Sequence, residues 1–166
     1  LGWDTDDIMI SSKSEKHTAK LLCQIKHGVK ISKNVTFKKV ISSAWNDYKK
    51  ASFNQRTDKI ALITNSIIKS NVIRFIHDQA ISASDATDFV DRIKRPQYSN
   101  DDAREVFENI RNTIQENPLF TITEDELWGF FKAFTILTFD MDYESSVNEF
   151  LIYALLASNC QGYAPS

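Results

Sequence analysis

Two acidic residues in tandem, Asp6 and Asp7, stand at the head of one short alternating segment, and Gln24, Ile25 and Lys26 close a second. In an antiparallel hairpin the numbers of paired residues sum to a constant, and a sum of 31 sets Asp7 opposite Gln24 and Ile8 opposite Cys23. One strand face then collects Asp7, Gln24 and Lys26. A carboxylate, a second oxygen ligand and an ammonium side by side are what metal-assisted hydrolysis of a phosphodiester requires. The carboxylate holds Mg²⁺ (or Mn²⁺) through hard oxygen coordination, the cation activates water and neutralises phosphate, and the lysine orients the nucleophile or counters developing charge. The Ile25 carbonyl, pointing along the sheet, is a further candidate ligand. Asp6 is the alternative carboxylate, since the doublet leaves the register open by one. The bland reading of the same residues is an acid pair in a turn and an exposed strand face.

The elements that must position these groups are legible as periodicity. Residues 7–11 and 18–26 alternate polar and apolar, which predicts two strands joined by the polar residues 12–17. Residues 36–52 place Phe37, Val40, Ile41, Ala44, Trp45 and Tyr48 on one helical stripe, with Asn34 or Thr36 able to cap its start. Residues 59–64 form a continuous apolar run, expected as a strand buried on both faces. Helices are predicted over 66–80, 84–94 and 101–115, with Pro96 separating the last two. A capping box from Thr123 to Glu126 opens another helix, followed by a strand at 134–139 and a closing helix at 143–157. The expected fold class is α/β: a mixed sheet of about four strands flanked by helices, in a single domain spanning 1–166 with an added helical block at about 66–131.

Composition narrows the chemistry. The chain has 166 residues, 42% apolar and 25% charged, as in an ordinary globular domain. Only four glycines are present, and no Gly-rich phosphate loop occurs, which removes dinucleotide-binding and P-loop readings. Two cysteines outside any CxxC and three histidines without ligand spacing argue against a zinc centre. No apolar run approaches the ~20 residues of a membrane span, so no membrane partner and a cytoplasmic location are expected. A net charge of −2 hides an asymmetry: residues 13–50 carry ten lysines against Glu15 and Asp47, whereas residues 84–126 carry eleven acids against five basic residues. Such a basic front suits phosphate contact, and Lys13, Lys16, Lys30 and Lys33 are the candidate nucleic-acid-binding residues. The region lacks arginine, so backbone contact is expected rather than base reading. His27, Cys23 and Trp45 are expected in the core. Thr64, Asn65 and Ser66 are expected to cap the next helix, and Asp140 and Asp142 to serve a turn. His17, His77 and the acids at 101, 102, 105 and 108 are expected on solvated faces.

The stretches W-D-T-D-D-I-M-I, L-L-C-Q-I-K-H-G, V-T-F-K-K-V-I-S-S-A-W-N-D-Y and K-I-A-L-I-T resemble one lineage of the PD-(D/E)xK restriction-endonuclease-like superfamily. That lineage bears a Gln-x-Lys variant of the motif and is found as the N-terminal nuclease domain of bacterial antiphage effectors, including the CBASS endonuclease and Avs-type NTPases. The likeness covers residues 3–65 and, more loosely, 123–156, where F-F-K-A-F-T-I-L-T-F-D also fits. It implies Asp7 as metal carboxylate, Gln24 at the second acidic position and Lys26 as catalytic lysine. It further implies double-stranded DNA as substrate, fused sensor, NTPase or ligand-binding domains in the full-length protein, and a homo-oligomer as a possible state. Family members carry a helix before the first strand, with a glutamate that completes the metal site, and this chain is expected to begin after it. The missing helix and the glutamine at position 24 favour an alternative, a non-catalytic nuclease-like module for DNA binding or assembly. A helix-rich interaction domain that never meets phosphate is a third reading.

Overall fold

Strand β1 (Ile8–Lys13) and strand β2 (Thr18–Ile25) form the expected hairpin, and each of their pairs sums to 31, from Ile8 with Cys23 to Lys13 with Thr18. Both strands belong to a computed structural model that describes residues 3–4, 8–13, 18–27, 29–31, 34–65, 70–116 and 122–138. Helix α1 (Val35–Lys49) leads to strand β3 (Lys59–Thr64). Four helices then intervene: α2 (Ser70–Ser82), α3 (Ala86–Lys94), α4 (Asp101–Gln115) and α5 (Glu124–Ala133). Strand β4 (Phe134–Thr138) completes a four-stranded mixed sheet in the order β1-β2-β3-β4. The β2–β3 and β3–β4 pairs are parallel, as their helical crossovers require. The closing helix expected at 143–157 lies outside the described residues, as do Asp140 and Asp142.

Helix boundaries follow local chemistry. The Asn34 side chain caps α1 by accepting the Phe37 N–H at 2.7 Å, Asp85 and Asn100 do the same for α3 and α4, and Thr123 and Glu126 form the reciprocal capping box of α5. Helix α1 ends at Lys49, where Lys50 turns extended, three residues before its expected end. Strand β1 runs two residues further than expected because Ser12 and Lys13 still find partners in Ala19 and Thr18.

Cross-strand register defines the two faces of the sheet. Leu22, Ile60 and Phe134 form one row, and Leu62 and Ile136 the next. All five belong to a single buried core with Phe37, Ile41 and Trp45 of α1, Phe107 of α4 and Phe130 of α5, so the helices cover this face. Aromatic rings bind the layers: Phe130 stacks on Phe134 at 5.3 Å, and Phe107 on Phe131 at 5.5 Å. Trp45 is buried as expected, edge-on to Phe130. Helix α1 meets α5 so closely that a Cβ on Gly129 would lie 2.2 Å from the Tyr48 hydroxyl oxygen. Strand β1 projects past the helices, and all six of its residues are exposed.

Two carboxylates are buried and fully used. Asp58 accepts the Lys20 and Asn54 backbone N–H groups, both at 2.9 Å, joining β2 to the turn before β3. Asp47 accepts the Asp4 N–H at 2.7 Å and the Lys50 ammonium at 2.6 Å. The ammonium groups of Lys20 and Lys50 both stand over the ring of Trp3, at 5.1 and 5.3 Å from its centroid. This clasp fixes residues 3–4 beside the C-terminal end of α1.

Candidate functional site

The end of β2 delivers Gln24, Ile25 and Lys26. Gln24 pairs with Leu62, and the Lys26 N–H still bonds the Ile63 carbonyl at 2.9 Å, so the ladder stays in step one residue past the strand. Gln24 and Lys26 therefore project to the same face, the one covered by helices over β2 to β4. The next rung sets Lys26 beside Thr64, which pairs with Thr138. A row of hydroxyl-bearing side chains thus continues from the lysine across the sheet, and Thr64 is fully buried. Because Lys26 turns its own peptide N–H toward β3, strand alternation directs the Ile25 N–H and carbonyl toward the β1 side.

One atom at this point is anomalous. The Gln24 side-chain oxygen is buried and has no hydrogen-bond partner among the described residues. Burying such an oxygen unpaired costs about 1–3 kcal/mol, and its strand neighbours, Leu22 and Leu62, offer no donor side chain. An orphan oxygen beside an ammonium-bearing residue is suited to a cation or an incoming donor. Gln24→Leu is expected to raise the midpoint of urea unfolding, by about 1–2 kcal/mol in stability. A fall instead would mean that the oxygen depends on a partner in the folded chain.

Asp6, Asp7, Lys16 and Lys33 lie outside the described residues. Ile25 and Lys26 are half-buried, and Lys30 is exposed in the connection to α1. Lys13 is exposed at the far end of the hairpin, six residues of strand from the level of Gln24, or roughly 20 Å. Among the described residues no group of three or more His, Cys, Asp or Glu side chains gathers to hold a metal, so Gln24 and backbone carbonyls are the oxygen ligands that the described part of the site offers. No helix among the described residues is long and apolar enough to cross a membrane.

Several expectations need correction. His27 is exposed rather than in the core; its Nε2 pairs with the Asn65 side-chain amide at 2.9 Å, linking the ends of β2 and β3. His77 is half-buried rather than solvated, with Nδ1 against the Phe131 carbonyl at 2.8 Å. The Lys59 ammonium donates to the Lys132 carbonyl at 2.7 Å, and the two contacts together satisfy carbonyls at the C-terminal end of α5. Burial, reinforced by nearby Lys132, lowers the Lys59 pKa. The basic front is also partly neutralised. Lys38 pairs with Glu116 at 2.7 Å, Lys49 pairs with Glu126, and Lys20 sits 3.9 Å from Asp58. Burial opposes the charge of Lys50, but the Asp47 and Asp4 carboxylates outweigh it and hold its pKa above the ordinary lysine value. Cys23 is buried as expected, which pushes its thiol pKa up and makes it a packing residue rather than a nucleophile.

No family model, no curated protein and no solved structure matches the chain. The functional reading therefore rests on the resemblance of the sequence stretches and on the shared strand face of Gln24 and Lys26.

Proposed function

We propose that the chain is a restriction-endonuclease-like domain that hydrolyses phosphodiester bonds of double-stranded DNA with Mg²⁺, as the effector part of a bacterial antiphage defence protein. The observation that carries this reading is the oxygen of Gln24, buried and without a hydrogen-bond partner among the described residues, on the strand face that it shares with Lys26. Donor chemistry fits a hard cation: an amide oxygen, the Ile25 carbonyl on the β1 side, and the carboxylate that the sequence offers in Asp7 or Asp6. When bound, Mg²⁺ supplies positive charge at the phosphate and lowers the cost of generating hydroxide. Gln24 contributes a neutral oxygen, so the site relies on a single carboxylate for its negative charge. Lys26 holds the attacking water in line with phosphorus and counters charge on the phosphate oxygens as the bond to the leaving sugar oxygen breaks.

The test is direct. Supercoiled plasmid incubated with the intact protein and Mg²⁺ is expected to be nicked or linearised, and chelation of the metal to stop it. Persistence of cutting in excess chelator would overturn the metal-dependent mechanism. A second reading, a non-catalytic DNA-binding module, is favoured by the uncharged amide at position 24, which gives a cation less than glutamate would. It predicts a salt-dependent shift of DNA with no metal requirement and no strand scission.

A further inference from the structure

Strand β1 ends the sheet, and no strand among the described residues pairs with its outer side. All six of its residues are exposed. Three consecutive large apolar side chains, Ile8, Met9 and Ile10, are 45, 50 and 41% exposed. Natural edge strands are usually blunted by charge, by proline or by a covering element. This one carries neither charge nor proline from Ile8 to Ser12, and its first charged residue is Lys13 at the end. Such an edge is a template for another strand.

The ladder fixes which of its peptide groups face outward. The Lys26 N–H bonds the Ile63 carbonyl and the Lys20 N–H bonds Asp58, so the even-numbered residues of β2 turn their peptide groups toward β3. The odd-numbered ones turn theirs toward β1, where their partners are Ile8, Ile10 and Ser12. Met9, Ser11 and Lys13 therefore present their N–H and C=O groups at the open edge. A second copy related by a two-fold axis pairs antiparallel, and odd residues must then meet odd ones, so paired numbers have an even sum. A sum of 20 bonds Met9 to Ser11 of the second copy and sets Ile10 against its own equivalent on the axis, one β-branched side chain on another. A sum of 22 would set Ser11 against itself and leave Ile8 unpaired. Charge agrees with the first. Two acids precede the strand in the sequence and a lysine closes it, so two reversed copies bring unlike charges together at both ends.

The same pairing relocates Lys13. Within its own copy Lys13 lies roughly 20 Å along the hairpin from the level of Gln24. Against the second copy it falls one residue beyond Ile8, on the rung of that copy's Gln24, two strand spacings or about 10 Å away. It also shares the face. Lys13 lies on the same side of β1 as Met9, whose partner Leu22 projects with Gln24 and Lys26, and paired residues point to one side of a continuous sheet. An ammonium at that place suits a phosphate next to the scissile one, held without base reading.

We propose that two copies of this chain join edge to edge through β1 into one continuous sheet, and that Lys13 of each copy serves the candidate site of the other. The exchange of Lys13 rests on the nuclease reading; the pairing stands without it. Single cysteines at positions 9, 10, 11 and 12 of the intact protein, with Cys160→Ser and with Cys23 buried, are oxidised mildly and dimers read on non-reducing gels. Ile10→Cys is expected to cross-link, because opposed residues of a non-hydrogen-bonded pair lie about 4.5 Å apart at Cα, within disulfide reach. The other three positions stand more than ~7 Å from their equivalents and are expected not to. Cross-linking at 9 or 11 in place of 10, equal cross-linking at all four, or none at 10 would overturn the pairing, the last being the result if a strand of another protein takes the edge. Lys13→Gln and Lys26→Ala, mixed in equal parts and equilibrated, are expected to cut plasmid at about a quarter of the unmodified rate, since half of the dimers are mixed and one of their two sites is complete. A mixed rate equal to the mean of the two variants alone would overturn the exchange. Cross-linking at 10 without Mg²⁺-dependent scission by the unmodified protein would uphold the pairing and remove the nuclease, whereas scission without cross-linking would do the reverse.

Discussion

Lys26→Ala in the intact protein is expected to slow Mg²⁺-dependent plasmid cleavage by a hundredfold to ten-thousandfold, the usual range for removing a positioned proton-transfer group or a donor to developing charge. The loss should fall on the chemical step. Lys26 is half-buried on the same sheet face as Gln24, and duplex affinity, spread over several surface lysines, should change little. Lys26→Arg keeps the charge but replaces a compact ammonium with a planar fork, and is expected to recover only a small part of the rate. Cleavage by Lys26→Ala at the unmodified rate would remove the lysine from the mechanism and leave the orphan oxygen of Gln24 without a catalytic role.

Gly129→Ala is expected to destabilise the fold by about 1–3 kcal/mol, the cost of forcing an extra methyl into a packed core. The new Cβ would stand 2.2 Å from the Tyr48 hydroxyl oxygen, and the tyrosine has nowhere to retreat. Its ring is held by Trp45 at 5.5 Å and by Phe53 and Phe130 at 5.7 Å each. Burial, with Glu126 close by, pushes its pKa up to about 12, so no charged form relieves the contact at ordinary pH. Tyr48→Phe removes the offending oxygen and leaves the ring carbon beneath it at 3.4 Å, an ordinary contact. The double variant is therefore expected to recover most of the lost stability in urea titrations. Additive losses in that cycle would show that the two residues do not meet.

The fold was legible in the sequence wherever a stripe or an alternation met a cap. The hairpin register followed from the alternation of two short segments, β3 from its unbroken apolar run, and the start of α5 from Thr123 and Glu126. Positions fixed by distant partners were not legible. Strand alternation set His27 on the Cys23 side, but β2 ends before it, and Asn65, 38 residues away, supplies its partner at the surface. His77 depends on a carbonyl of α5 that no local pattern connects to it. The basic front looked uniform because Glu116 and Glu126, which neutralise Lys38 and Lys49, lie 77 or more residues downstream. For the candidate site, the sequence pointed to Gln24 and Lys26 as face-sharing neighbours. That the face is the core side of the sheet, and that the Gln24 oxygen is stranded there, depends on the packing of α1 and the helical block.

The order of strands has a kinetic consequence. Pairs in the hairpin join residues 5 to 15 positions apart, those between β2 and β3 are 38 apart, and those between β3 and β4 are 74 apart. Each step across the sheet thus closes a longer loop, at rising entropic cost and falling rate. Assembly should begin at the β1 edge and finish at β4, once the intervening helices have condensed. A nascent chain would therefore hold β3 with one free edge until residue 134 arrives, so a truncation before that point would expose an apolar strand to pairing with its neighbours.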